Sequence, residues 1–222
     1  SYGRAILGVG PGALAYDAEA IGLDPADSRR RMEEGLDVIV RLLDGERVTA
    51  KTDWFTLEGA ALQLLPRHEL EIVIAGTVSP NGPKLAGKFG KSLLTMTATT
   101  EAGFNVLADH WGVVQEQSEL HGQVADRSSW RMVGPMYVAE TEEQALADVQ
   151  RGLDQWCYYM SVVGGLPVLP KSAGAGNWAK GLVDAGFAVI GTPKQAIEQI
   201  SRLHEQSGGF GTFLIWANDW AP

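Results

Sequence analysis

The sequence has one cysteine, no excess of basic residues and no long apolar run. Cys157 has no second cysteine with which to form an internal disulfide, and its apolar surroundings predict a buried, unreactive thiol in a cytosolic protein. The chain carries 18 Lys and Arg against 27 Asp and Glu, a formal charge of −9, without a basic cluster that offsets it. Nucleic acid and anionic membranes are therefore excluded as expected partners. We also expect neither a membrane span nor a signal peptide, because no run of about 18 apolar residues and no leader pattern occur.

The composition is otherwise that of a globular protein. Hydrophobic residues make up 45% and charged residues 20% of the 222 positions, which is close to the average for folded domains. A chain of this length buries a sizeable core and does not require two domains. We expect one domain over residues 1–222 that binds a small molecule.

Short apolar runs alternate with helical patterns along the chain. Five runs predict buried strands, at residues 4–9, 70–75, 92–96, 130–139 and 212–217. N-cap residues, helix-start prolines and helical periodicity predict a helix that begins at Asp24 and ends just before Gly45, helices at residues 84–89, 101–121, 141–159 and 178–185, and one beginning at Thr192. This alternation indicates an α/β fold with a parallel sheet, either open or closed as a barrel.

Two segments interrupt the alternation. Residues 48–65 contain two β-type runs around Glu58 and Gly59, which predict a hairpin excursion. Residues 161–177 are rich in Gly and Pro and predict a long loop, of the kind that is functional or mobile in compact domains.

The first loop allows a dinucleotide-binding interpretation. Residues 8–13 (GVGPGA) match the pattern G-x-G-x-x-A. A Rossmann unit, however, needs a second strand that ends in Asp or Glu about 20 residues later. Here Asp24 and Pro25 begin a helix in that interval, so we favour a different α/β fold.

The order and spacing of several motifs resemble the bacterial-luciferase-like flavin-dependent monooxygenases. The matching segments are GRAILGVGPG (3–12), DPADSRRRMEEGLDVIVRLL (24–43), DWFTL (53–57), AGTVSPNGPKLAGKFG (75–90), GTPKQAIEQI (191–200) and GGFGTFLI (208–215). The resemblance covers nearly the whole chain. It implies a (βα)₈ TIM-barrel type of fold that is incomplete in this chain. The segment at 3–12 matches the fourth strand, residues 212–217 match the eighth, and the first three strands have no counterpart.

The resemblance also implies a flavin site at the carboxyl ends of the strands, where barrel active sites lie. The candidate cofactor residues are Gly8, Val9, Gly10, Pro11, Val78, Ser79, Gly82 and Trp216. The group at 78–82 precedes a helix whose first amides favour a phosphate, although S-P-N-G is also ordinary turn chemistry. The glycines of the first loop allow the backbone to approach the flavin, or serve a tight turn alone.

Two residues of this implied site, Pro11 and Trp216, leave a question open. Pro11 stands where some family members have an arginine that meets the phosphate charge, so the source of that charge is open. Trp216 ends the last predicted strand and is expected either to face the flavin or to pack in the core with the other tryptophans.

The implied activity is the oxygenation of an apolar organic substrate by O₂. Reduced FMN, or a deazaflavin in its place, is the implied cofactor, and a flavin reductase is the implied partner. The catalytic histidine of the family lies in the part without a counterpart, and the four histidines present show no metal-ligand spacing and are expected at the surface.

Five strands alone would leave sheet edges and an apolar face exposed. We therefore expect that the chain is part of a longer enzyme or forms a homodimer. The alternative is a truncated, non-catalytic relative that binds flavin or a hydrophobic ligand as a dimer.

Overall fold

The computed structural model describes residues 3–12, 14–165, 169–170 and 178–221. The strands are β1 (Ile6–Val9), β2 (Val48–Lys51), β3 (Thr56–Ala60), β4 (Glu71–Gly76), β5 (Ser92–Thr95), β6 (Arg131–Val138), β7 (Val189–Gly191) and β8 (Thr212–Trp216). The helices are α1 (Ala15–Ala20), α2 (Ser28–Leu43), α3 (Asn81–Phe89), α4 (Glu101–Asn105), α5 (Leu107–Leu120), α6 (Glu142–Tyr158), α7 (Trp178–Asp184) and α8 (Pro193–Ser207). Short 3₁₀ turns lie at Pro25–Asp27 and Arg127–Ser129, and a π-helical turn at Tyr159–Val163 extends α6.

Five parallel strands form a curled sheet in chain order. β1 pairs with β4, and β4 pairs with β5. Arg131 and Met132 of β6 pair with both β5 and β8, so β6 lies between them. The order β1-β4-β5-β6-β8 is the arc of a half-barrel, which confirms the predicted fold class and its five core strands. β7 was not predicted, and among the described strands it pairs only with the carboxyl-terminal residues of β6, from Met136 to Val138.

The helix-covered side of the arc holds the main core. Leu7 and Val9 pair with Ile72 and Ile74, and all four side chains pack there. Residues from the surrounding helices and strands complete this core, namely Leu36, Leu85, Leu93, Leu107, Trp111, Val114, Trp130, Met132 and Leu203. The apolar runs of the sequence therefore form parallel strands because they bury against helices as well as against one another.

The helix that was predicted to begin at Asp24, and that is incompatible with a Rossmann unit, is present. Asp24 accepts a hydrogen bond from the amide of Ala26 at 2.9 Å, and the 3₁₀ turn that it caps leads directly into α2. Residues 14–24 contain no strand. The dinucleotide interpretation of the first loop is therefore wrong.

Three details differ from the sequence-based expectations. The predicted helix over residues 101–121 is two helices, α4 and α5, which separate at Val106. The turn between β2 and β3 lies at residues 52–55, while Glu58 and Gly59 belong to β3 itself. Of the predicted loop at 161–177, residues 161–163 belong to the π-helical turn, and residues 166–168 and 171–177 lie outside the described part. No helix in the described part of the chain is long and apolar enough to cross a membrane.

An ion pair joins strands at the amino-terminal end of the arc. Arg131 donates two hydrogen bonds to the carboxylate of Glu71, at 2.6 and 3.0 Å, and Ser92 donates a third at 2.6 Å. Glu71, Ser92 and Arg131 are the first residues of β4, β5 and β6. The pair therefore connects β4, β5 and β6 at their amino-terminal ends. Ligands bind at the other end of such folds, where the strands have their carboxyl ends.

Replacing Arg131 with Met is expected to lower the free energy of unfolding by about 1–2 kcal/mol. The loss is smaller than for a fully buried pair, because water still reaches the Glu71 carboxylate. Urea denaturation measures this change, and Glu71→Leu combined with Arg131→Met should recover part of it. Ligand affinity at the opposite end of the arc should be unchanged. A variant with normal stability and weakened ligand binding would contradict this structural role.

Candidate functional site

A cleft of about 810 Å³ opens at the carboxyl-terminal end of the arc. Its walls come from the loops after β1, β4 and β5, from the first turns of α2 and α3, and from Trp216 at the end of β8. Its volume falls within the range of about 300–1,000 Å³ that is usual for cofactor sites. The carboxyl ends of parallel strands bind ligands in barrels and open α/β sheets alike.

The cleft brings together five of the residues singled out in the sequence. Its lining includes Gly10, Pro11, Ser79, Gly82 and Trp216. The other three, Gly8, Val9 and Val78, are not part of the lining. Val9 packs against the core on the helix-covered side of the sheet, and the carbonyl of Val78 lies against a histidine.

The first turn of α3 packs directly on the end of β4. A Cβ atom on Gly82 would lie 2.6 Å from Cα of Gly76 and 2.9 Å from the carbonyl oxygen of Ala75, so only glycine permits this approach. The amides of Ser79, Asn81 and Gly82 have no backbone acceptor in the described part of the chain. Free amides at a helix start, together with the helix dipole, favour an anion at this position.

Among the residues that the structure describes, four cations and one carboxylate line the cleft, although the whole chain is acidic. Lys88 binds Glu33 at 2.7 Å, and Arg30 binds other carboxylates. Within the described residues, neither Arg29 nor Lys84 has a carboxylate within ion-pair distance. Both lie in the first turn of a helix, where the helix dipole disfavours a cation. This arrangement is favourable if an anion binds between them.

Arg30 has a structural role at the rim of the cleft. Its guanidinium donates to both carboxylate oxygens of Asp53, at 2.7 and 2.9 Å, and to Glu34 at 3.0 Å. The hydrogen bond to Asp53 raises the pKa of Arg30 and lowers the pKa of Asp53. These contacts hold the turn of the β2-β3 hairpin against α2. The charge of the Arg30 guanidinium is therefore paired with protein carboxylates and is not available to a ligand.

The other part of the cleft is apolar. Met96 follows β5, Met160 comes from the π-helical turn, and Trp216 ends β8. The ring of Trp216 packs edge-on against Trp156, with ring centroids 5.6 Å apart. Trp156 in turn packs against Trp220 at 5.4 Å, and this packing fixes the orientation of the Trp216 ring.

Thr97 belongs to this part of the lining, but its hydroxyl does not face the cleft. The Oγ1 atom is buried and has no hydrogen-bond partner in the described part of the chain. A Cβ atom on Gly103 would lie 2.7 Å from it, so the hydroxyl packs against α4.

The expectation that all four histidines lie at the surface is wrong for one of them. His68, His121 and His204 are exposed, but His110 is only 3% exposed. Its Nε2 atom lies 3.1 Å from the carbonyl oxygen of Val78, in the loop that lines the cleft. Burial lowers the pKa of His110, so the ring is neutral near pH 7 and donates Nε2–H to Val78.

The expectation for Cys157 is confirmed. Its side chain is fully buried in the second hydrophobic cluster, beside Leu153 and Leu182. Burial raises the pKa of the thiol to about 12, so the reactive thiolate is absent near pH 7.

The sequence matches the luciferase-like monooxygenase family over residues 1–209. It is 50% identical to limonene 1,2-monooxygenase of Rhodococcus erythropolis over 221 residues, which is 100% of this chain and 57% of that protein. It is 38% identical to 4-hydroxyprotoasukamycin monooxygenase of Streptomyces nodosus subsp. asukaensis, over 99% of this chain and 60% of that protein. The chain thus spans somewhat more than half the length of these relatives.

Solved structures show the same fold. The oxygenating constituent of 3,6-diketocamphane monooxygenase from Pseudomonas putida, a type II Baeyer-Villiger monooxygenase in complex with FMN, superposes with a TM-score of 0.68 at 24% identity. The match covers 98% of this chain and 65% of that one. A coenzyme F420-dependent secondary alcohol dehydrogenase superposes with a TM-score of 0.67 at 22% identity, over 96% of this chain and 64% of that one.

Proposed function

Because this chain belongs to the luciferase-like monooxygenase family, we propose that its cleft binds reduced FMN and that the protein uses O₂ to oxygenate an apolar organic substrate. The observation that carries the proposal is a pair of cations, Arg29 and Lys84, at helix starts that border one cleft. Neither has a carboxylate partner among the residues that the structure describes. The chain has a formal charge of −9, whereas the described lining of the cleft has four cations and one carboxylate. This charge supports the proposal, since Arg29 and Lys84 offer a phosphate the countercharge that Pro11 does not.

The phosphate of FMN fits the part of the cleft at the start of α3. There the amides of Ser79 and Gly82 are available as donors, and Lys84 lies in the same helical turn. Arg29 approaches from the first turn of α2. Backbone donors and two cations together suit the charge and hydrogen-bonding needs of a phosphate dianion.

The ring system fits the remainder of the cleft. Glycines 10 and 12 leave the backbone of the first loop uncovered, so a flat ring can approach it closely. Trp216 offers an aromatic face to the ring. Met96 and Met160 supply flexible apolar surface next to this position, which suits an apolar substrate.

Bound reduced flavin supplies the two electrons for O₂ activation; one oxygen atom enters the substrate, and the other leaves as water. The residues of this chain bind and orient the cofactor and keep the apolar part of the cleft dry. We further propose that a separate flavin reductase provides the reduced FMN, and that the protein acts as a homodimer. Coenzyme F420, a deazaflavin, is the alternative cofactor, as it is named in a structural relative.

Turnover under ¹⁸O₂ tests the proposed reaction. The protein is supplied with reduced FMN and limonene, which the 50% identical relative is named for, and the product is analysed by mass spectrometry. We expect one ¹⁸O atom in each product molecule, and none when the FMN is left oxidised. Tight FMN binding without oxygenation of limonene or of related terpenes and ketones would favour the non-catalytic flavin-binding alternative instead.

A further inference from the structure

His110 connects helix α5 to the loop that lines the cleft. It is the one buried imidazole among four histidines, and its Nε2–H donates to the carbonyl oxygen of Val78 at 3.1 Å. Val78 itself is outside the lining, but both of its neighbours, Thr77 and Ser79, belong to it. The hydrogen bond therefore holds the middle of the loop on the side that faces α5, away from the cleft.

The direction of this bond determines where the next amide points. A peptide group is planar and trans, so the N–H of Ser79 points opposite to the C=O of Val78. Since the carbonyl is turned towards His110 in α5, the amide of Ser79 is turned away from it. That amide has no acceptor among the described residues, and Ser79 lines the cleft.

We propose that His110 is a positioning residue that fixes the Val78–Ser79 peptide so that the amide of Ser79 donates to the phosphate of the flavin. The inference rests on the proposed function, because it assumes a phosphate at the start of α3. His110 does not touch the ligand, and it acts through one peptide group. Without its hydrogen bond, the peptide is free to rotate and present the carbonyl oxygen to the phosphate instead.

Packing alone does not account for an imidazole at this position. An apolar side chain would fill the same buried space beside Leu107 and Trp111 on the inner stripe of α5. The imidazole leaves its Nδ1 atom buried without a partner in the described part of the chain, which is unfavourable. Among the described residues, its side chain makes one polar contact with another part of the fold, the bond to Val78.

The test compares FMN with riboflavin, which has the same ring system and no phosphate. In His110→Leu the donor is lost, and we expect the dissociation constant for FMN to rise about tenfold while that for riboflavin stays within about twofold. In His110→Gln the amide nitrogen takes the place of Nε2, so the FMN affinity should remain within about threefold of the wild type. His121→Leu is the matched control, because His121 lies at the exposed end of the same helix and, among the described residues, its ring bonds only to the carbonyl of Gln117 in that helix.

A second variant covers the case in which His110→Leu does not fold. The side chain of His110→Asn is polar but too short to reach Val78, so it should weaken FMN binding where His110→Gln does not. Equal losses for FMN and riboflavin, or an unchanged FMN affinity in His110→Leu, would overturn the positioning role. If the wild type binds FMN and riboflavin equally well, the proposed phosphate site itself is wrong. If the wild type prefers FMN and His110→Leu prefers it to the same degree, the phosphate site stands and only the role of His110 is wrong.

Discussion

Replacing Arg29 and Lys84 together with Met should weaken FMN binding by about 100-fold or more and change riboflavin binding by less than about twofold. A hydrogen bond to a charged group contributes about 1.5–3 kcal/mol, and about 1.4 kcal/mol corresponds to tenfold in affinity. Neither cation has a carboxylate partner in the described part of the chain, so their removal leaves no buried charge unpaired. Fluorescence titration of both flavins measures the effect.

Lys180→Met combined with Lys194→Met is the matched control, because it also removes two positive charges. Lys180 in α7 and Lys194 in the first turn of α8 are 66% and 85% exposed, and both lie outside the cleft. Their removal changes the net charge equally without touching the proposed phosphate site, so FMN affinity should hold. The prediction is wrong if the double variant and the control lose FMN affinity equally, because the effect would then come from overall charge.

Gly82→Ala should both destabilise the protein and impair the site. The new Cβ atom would meet Cα of Gly76 at 2.6 Å and the carbonyl oxygen of Ala75 at 2.9 Å. Both obstacles are backbone atoms, so no side-chain rotation relieves them, and α3 must move away from the end of β4. We expect the free energy of unfolding to fall by about 1–3 kcal/mol. FMN affinity should fall by more than about tenfold, because the donors at the helix start are displaced.

Gly112→Ala provides the comparison for this variant. Gly112 lies inside α5, and a Cβ atom there meets nothing within 4 Å. The substitution should stabilise the protein by about 0.5–1 kcal/mol, since glycine is unfavourable inside a helix. If Gly82→Ala behaved like Gly112→Ala in chemical denaturation, the close contact between α3 and β4 would not exist in solution.

The fold was predictable from local patterns because strands, helices and caps leave short-range signals. Asp24 caps a 3₁₀ turn before α2, and Thr192 with Gln195 forms the capping box that begins α8. β7 has no comparable signal in the sequence, since it has three residues. In the described part of the chain it pairs only with the carboxyl-terminal residues of β6. The break between α4 and α5 was missed for a similar reason, because Val106 is compatible with a continuous helix.

The site was only partly predictable because it depends on partners that are distant in sequence. Gly10, Ser79 and Trp216 were identified through the family resemblance and the strand ends. A signal for Lys84 was present, because a lysine in the first turn of a helix opposes the helix dipole. Its meaning, however, depends on the lack of a carboxylate neighbour, which only the structure reveals.

His110 illustrates a signal that was overlooked. The buried residues of α5 are Leu107, His110, Trp111, Val114 and Ser118, which follow helical spacing. The position of His110 on this stripe predicts burial, although a histidine is more often found at the surface. Its partner, Val78, is 32 residues away in the chain, and no local pattern identifies that contact.

A crystal structure of the protein with bound FMN tests the central claim most directly. We predict the phosphate at the start of α3, within hydrogen-bond distance of the amide of Ser79 and of the side chains of Arg29 and Lys84. The ring system should then lie against the loop at residues 10–12 and near Trp216. A phosphate bound elsewhere, with Arg29 and Lys84 directed into solvent, would contradict the proposed site.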